Sequence, residues 1–127
     1  MKLEEFSQDD FIKASNRLAR SLTRGKTTSS LPRAILLGGQ SGAGKTTIHR
    51  VKQREFQGNI IIIDGDSYRS FHPNYLGLQE KYGKDSVDYT KVFAGQMVEY
   101  LVDELSKKGY HLLIEGTLRT TEVPRKT

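Results

Sequence analysis

The sequence predicts an α/β fold in which a parallel sheet lies between helical layers, and three observations carry that prediction. Two unbroken apolar runs, Ala34–Leu37 and Ile60–Ile63, have the length of strands and lack alternation, the pattern of strands inside a parallel sheet. Helical stretches alternate with the strand-like runs along the chain, as a crossover topology requires. The first run feeds Gly39-Gln40-Ser41-Gly42-Ala43-Gly44-Lys45-Thr46-Thr47, the pattern G-x-x-x-x-G-K-T, whose chemistry demands a strand before it and a helix after it.

Taken in order, Ser7 is placed to cap a helix running to about Arg24, with Phe11, Leu18 and Leu22 on one face and Gly25 at its end. Lys26–Pro32, rich in Thr and Ser, reads as a loop into the first strand, Arg33–Gly38. A helix over about Lys45–Phe56 follows, and Gln57-Gly58-Asn59 turns the chain into the second strand, Ile60–Ile63, whose β-branched residues suggest burial on both faces. Asp64 to about Lys84 reads as irregular or weakly helical, broken by Pro73 and Gly77. From about Asp88 to Lys107, Tyr89, Val92, Phe93, Met97, Tyr100, Leu101 and Leu105 form the stripe of a helix packed on a sheet, with Gly109 as its C-cap. A third strand, His111–Ile114, delivers Glu115-Gly116-Thr117 to the carboxyl edge of the sheet, where ligands bind in open α/β folds.

These elements form a P-loop NTPase-like three-layer domain. Such sheets usually need about five strands, and only three are legible in these 127 residues. The chain therefore reads as a single domain, 1–127, truncated on its C-terminal side. The first strand of such domains lies mid-sheet, and Ala34–Leu37 is apolar enough to expect neighbours on both sides, so one of its edges is expected to be bare.

Composition narrows the function. Lys and Arg number 20 against 15 Asp and Glu, a formal charge of +5, with Arg17, Arg20, Arg24, Lys26 and Arg33 concentrated near the start. A nucleotide site attracts a polyanion and accounts for a modest positive balance. With no RNA-binding signature and no interleaved aromatics, nucleic acid is not favoured as a partner. There is no cysteine, which excludes disulfides and thiolate metal sites. The start, Met1-Lys2-Leu3-Glu4-Glu5-Phe6, carries acids where a signal peptide needs an apolar stretch, and no run is long enough to span a bilayer, so a cytoplasmic protein without a membrane partner is expected.

The motif residues carry the first piece of chemistry. Gly39, Gly42 and Gly44 allow successive N–H groups from Gly39 through Thr47 to turn inward around phosphates, Gln40, Ser41 and Ala43 completing the loop. Lys45 reaches the β- and γ-phosphates, Thr46 offers a hydroxyl to Mg²⁺, and Thr47 continues into a helix whose N-terminus favours the anion. ATP and Mg²⁺ are the expected cofactors.

The second piece is Ile60-Ile61-Ile62-Ile63-Asp64-Gly65-Asp66-Ser67-Tyr68-Arg69. Asp64 satisfies a loose Walker-B description. Asp66 projects from the end of the strand across the phosphate loop, where an acceptor hydroxyl lies in line with the γ-phosphate. Its competing reading is the N-cap of a short helix, and both can hold. Glu115, directly after Leu112-Leu113-Ile114, lands in the crevice, where a buried charge is costly unless a metal or donor accompanies it. Glu99 lies off the apolar stripe of its helix, and spacing alone favours solvent. His49, His72 and His111 show no metal-ligand or acid/base spacing and read as structural.

The segments GGQSGAGKTT, IDGDSYRSFHPNY, LSKKGY and LLIEGTLRTTEVP together resemble the zeta-toxin family from about Leu31 to the last residue. The spacing of Asp66, His72-Pro73-Asn74 and Glu115-Gly116-Thr117 is far more specific than the phosphate loop. The resemblance implies the kinase of a bacterial toxin–antitoxin pair, held by a cognate antitoxin protein, which transfers the γ-phosphate of ATP to the 3′-hydroxyl of UDP-N-acetylglucosamine and so starves cell-wall synthesis. It further implies that Lys45 and Thr46 hold nucleotide and metal, that Asp66 is the catalytic base, that Glu99, Glu115 and Thr117 bind the sugar nucleotide or the water around Mg²⁺, and that Arg119 is a cationic stabiliser. Family members continue past Thr127 with further strands, a lid and two arginines that engage the ATP phosphates, so the isolated chain is expected to show no measurable turnover. Two other readings stay open. IDGDSYR also resembles the LDGDxxR segment of adenylylsulfate kinase, against which His72-Pro73-Asn74 argues, and the chain can be read as a nucleotide- or antitoxin-binding fragment without catalysis.

Overall fold

The computed structural model describes residues 3–38 and 43–116, with the side chains of 3–37 and 47–115. Helix α1, Gln8–Thr23, opens on Ser7, whose Oγ accepts from the Asp10 amide at 3.0 Å, with Asp9 and Asp10 beside the positive end of the helix dipole. Its buried positions, Phe11, Ala14, Ser15 and Leu18, follow the i, i+3, i+4, i+7 rule. Strand β1 is Ala34–Gly38, and helix α2, Ala43–Glu55, begins two residues before the expected start. The turn at Gln57 and Gly58 takes positive φ at both residues and leads to strand β2, Ile61–Ile63.

The segment from Asp64 to Lys84 is more ordered than its sequence suggests. A 3₁₀ helix spans Gly65–Phe71, helix α3 spans Tyr75–Tyr82, and a short 3₁₀ turn covers Gly83–Asp85. Pro73 lies in the gap, as expected. Gly77 does not break the chain, because it sits inside α3 against the Leu3 side chain. Tertiary contacts hold this region. The buried His72 lies with Nε2 2.9 Å from the Glu4 carbonyl, its Nδ1 accepts from the Asn74 amide at 3.0 Å, and the Asn74 side-chain amide donates to the Leu3 carbonyl at 2.9 Å. His72-Pro73-Asn74 therefore straps the N-terminal segment to the start of α3, a structural role like that of His111, whose Nδ1 accepts from the Arg33 amide at 3.1 Å.

Helix α4, Ser86–Lys108, buries Ser86, Thr90, Phe93, Ala94, Met97, Val98, Leu101 and Leu105. The predicted stripe was rotated slightly: Val92 and Tyr100 are exposed, and Tyr89 stacks on Tyr82 at the surface with centroids 3.9 Å apart. Burial of Thr90 is possible because its hydroxyl donates to the Ser86 carbonyl at 3.2 Å. Gly109 takes the left-handed conformation at φ 98°, and the Tyr110 amide reaches back to the Leu105 carbonyl at 3.1 Å, closing the helix. Strand β3, Leu112–Gly116, follows.

The sheet is parallel, in the order β1-β3-β2, with Ile114 opposite both Leu36 and Ile63. The central strand β3 is buried on both faces from Leu112 to Glu115. In β2 the expected two-sided burial holds for Ile61 and Ile63 but is partial at Ile62, which faces the other side of an edge strand. Among the described residues β1 pairs only with β3, and Leu36 is 48% exposed, in agreement with the expected bare edge. Leu112 and Ile114 face a core built with α1 and α4. Leu113 and Glu115 point to the opposite face, where Glu115 meets His49 of α2, so helices lie on both sides of the sheet.

Candidate functional site at the carboxyl edge of the sheet

Strands β2 and β3 end side by side, and each carries an acid to the edge. At the end of β2, Asp64 is the cap of the 3₁₀ helix: its Oδ1 accepts from the Asp66 amide at 3.2 Å, and its carbonyl accepts from the Ser67 hydroxyl at 2.8 Å. The alternative expected for Asp66, that it caps a short helix, is corrected by this geometry, since Asp64 performs that task. Asp66 stands in the first turn, exposed, with its Oδ1 accepting from Arg69 Nη2 at 3.0 Å. Arg69 is a neighbour that the sequence reading passed over, although a separation of three residues places the two side chains on one face of a helical turn.

At the end of β3, Glu115 is only 3% exposed, and His49 Nε2 of α2 lies 2.7 Å from its Oε2. His49 was expected to be merely structural, yet it is brought to the site. The signal available in the sequence was its position one helical turn after Lys45. A third group completes the cluster. Tyr68 is buried, and its hydroxyl has no hydrogen-bond partner among the described residues. Burial pushes this phenol far above its ordinary value, and the carboxylates of Asp64 and Glu115 add to the shift. Tyr68 therefore stays a neutral O–H donor beside two acids.

The remaining candidate residues divide by where they lie. Thr47 is exposed just past the first turn of α2. Ala43, Gly44, Lys45 and Thr46 open the same helix, so α2 presents its N-terminus at the edge where Glu115 and Asp64 emerge. Gly39, Gln40, Ser41 and Gly42, together with Thr117 and Arg119, lie outside the described residues. Glu99 is exposed on α4, off the buried stripe, and it is not part of the cluster formed by Asp64, Tyr68, Glu115 and His49. No group of three or more His, Cys, Asp or Glu side chains among the described residues is arranged to hold a metal ion. No helix among them is long and apolar enough to cross a membrane.

Comparison with known proteins agrees with this architecture. The family model for zeta toxin matches residues 17–127. The chain is 67% identical over 127 residues to toxin PezT of Streptococcus pneumoniae, covering all of this chain and 50% of that protein. It is 39% identical over 125 residues to toxin zeta of Streptococcus agalactiae, covering 98% of this chain and 44% of the relative. A solved structure from work on the PezAT chromosomal toxin–antitoxin system of Streptococcus pneumoniae superposes with a TM-score of 0.93 at 67% identity, over 99% of this chain and 52% of that one. The chain thus spans about half the length of the curated relatives it matches, and its three parallel strands with helices on both faces are part of a P-loop-like fold. On the extent and identity of these matches, this chain belongs to the zeta-toxin family.

Proposed function

We propose that the protein is the toxin of a toxin–antitoxin pair and acts as a kinase, transferring the γ-phosphoryl group of ATP to the 3′-hydroxyl of UDP-N-acetylglucosamine. The observation that supports this best is the convergence of an exposed acid, Asp66, and a buried one, Glu115, on the sheet edge where α2 begins. In such a transfer the acceptor oxygen forms a bond to the γ-phosphorus while the bond to the bridging oxygen of ADP breaks. The acceptor hydroxyl gives its proton to the Asp66 carboxylate, which later releases it to water.

Aspartate, with an ordinary pKa near 3.9, is a weak base for a sugar hydroxyl, but the transition state is loose and the proton leaves late. Asp66 therefore acts mainly by orienting the nucleophile, and its exposed position leaves it open to a substrate. Lys45, at the start of α2, takes the β- and γ-phosphates, and Arg119 adds a further cation. Asp64 and Glu115 bring carboxylate oxygens to this edge, the donor type that Mg²⁺ and its bound waters take, so the residues present fit an ion held largely by phosphate and water. Thr46 would hold it, with Glu115 facing its water shell. When bound, Mg²⁺ supplies neutralisation of the phosphate oxygens. Glu99 and Thr117 remain proposed contacts to the sugar nucleotide, and the cognate antitoxin is proposed to inhibit by covering the nucleotide site.

The test is transfer of labelled γ-phosphate to UDP-N-acetylglucosamine by the full-length protein, with adenylylsulfate as a competing acceptor. Label on the sugar nucleotide supports the reading. Label on adenylylsulfate alone, or ATP binding without transfer to either, contradicts it.

A further inference from the structure

Glu115 is the most buried carboxylate described, and it is met by a side chain of the adjacent helical layer that no motif announces. A buried carboxylate is expensive to desolvate, and a residue at the end of an apolar strand is better packed as Leu or Ile if packing is all that is required. Its partner, His49, is half-buried at 28% exposure and comes from the helix that begins at the phosphate loop, one turn after Lys45. The pair therefore links the helix carrying Lys45 and Thr46 to the strand leading into Thr117.

We infer that His49 is a positioning residue: through Nε2 it fixes the orientation of the Glu115 carboxylate toward the nucleotide and its metal. The inference rests on the kinase reading above. It deepens that reading by naming the group that aims Glu115. Partners that orient a metal-facing ligand are worth about 10–100-fold in metal affinity or rate. The contact is made by Nε2, so a glutamine, whose amide nitrogen reaches the same place, replaces it, whereas the shorter asparagine does not.

The experiment compares His49→Ala, His49→Gln and His49→Asn in the full-length protein. One arm measures phosphoryl transfer, and the other measures ATP affinity by calorimetry with and without Mg²⁺. In His49→Ala we expect kcat to fall about 30-fold, with KM for UDP-N-acetylglucosamine little changed and KM for ATP raised in step with the lost Mg²⁺-dependent affinity. Its ATP affinity without metal is unchanged, and the gain in affinity on adding Mg²⁺ is reduced about tenfold or more. His49→Gln recovers most of both effects, His49→Asn recovers neither, and all three melt within a few degrees of the parent. Unchanged kcat and Mg²⁺ gain in His49→Ala, or a glutamine variant as impaired as alanine, overturns the inference. If the parent protein transfers no phosphate while the Mg²⁺ gain still depends on His49, the kinase reading fails and the positioning role stands. A parent whose ATP affinity ignores Mg²⁺ overturns the inference.

Discussion

Asp66 and Glu115 reach the same edge of the sheet in opposite surroundings. Asp66 lies just past β2 with its side chain 43% exposed, tied to Arg69 by an ion pair that water screens. Glu115 ends β3 at 3% exposure and is gripped by His49 from another layer of the fold. An exposed acid can exchange one partner for another, as a group that receives a substrate and releases a proton must. A buried acid held by a second side chain has a fixed direction, which suits a group that aims at an ion or its water. The difference between the two strand ends assigns them different work, although both are acids directly after apolar runs.

The largest expected effect breaks the exposed side of this comparison. Asp66→Asn should lower transfer by about 10³-fold, within the range for losing a general base, while ATP affinity stays within a few-fold. Steady-state kinetics with calorimetry separates the two quantities, and near-normal transfer in this variant would remove Asp66 from the mechanism. Glu115→Gln comes next, with an expected loss of about 10–100-fold in rate. Replacing both Glu115 and His49 by leucine should leave the melting temperature unchanged or higher while lowering transfer at least as far as Glu115→Gln, because well-packed apolar residues often match a buried polar pair in stability.

Smaller effects sharpen the comparison through Tyr68 and Arg69. Tyr68→Phe removes a buried hydroxyl that has no partner among the described residues, so in the absence of nucleotide it should be neutral or stabilising by about 1 kcal/mol. Its pH behaviour carries a definite sign. The folded phenol ionises well above its ordinary value of 10.0, so above that pH the unfolded chain has fewer bound protons and stability falls as pH rises. Chemical denaturation between neutral and alkaline pH should show that decline in the parent and a shallower one in Tyr68→Phe. Smallest of all, Arg69→Ala breaks an exposed pair and should change stability by less than about 1 kcal/mol. A larger loss would mean that the Asp66 end of the sheet is more tightly organised than its exposure indicates.

The fold was legible where local chemistry decides it. Ser7 at the start of α1, the positive φ at Gly109 and the apolar runs before Gly39 and Asp64 are short-range signals, and the elements fall within a few residues of where those signals put them. The segment from Asp64 to Lys84 was not legible, because its order depends on His72 and Asn74 reaching back to Glu4 and Leu3, far away in sequence. The stripe of α4 differs at Tyr89 and Tyr100, since aromatic rings with a polar tip favour the margin of a core, and Thr90 could be buried once its hydroxyl found a carbonyl, while nothing in the structure explains the exposure of Val92. At the site, both acids could be read as ends of strands. Their differing burial could not, nor could the partnership with His49, since nothing in the spacing of Glu115 points to a residue on another layer. The matching share of cap and ion pair between Asp64 and Asp66 was ambiguous for a simpler reason: either acid suits the first turn of a helix.

The most direct test of two acids with two roles is the gain in ATP affinity on adding Mg²⁺, measured by calorimetry in the full-length protein and its Asp66→Asn and Glu115→Gln variants. The expected result is a gain retained in Asp66→Asn and reduced about tenfold or more in Glu115→Gln. A gain lost in Asp66→Asn and kept in Glu115→Gln would reverse the assignment and contradict the account.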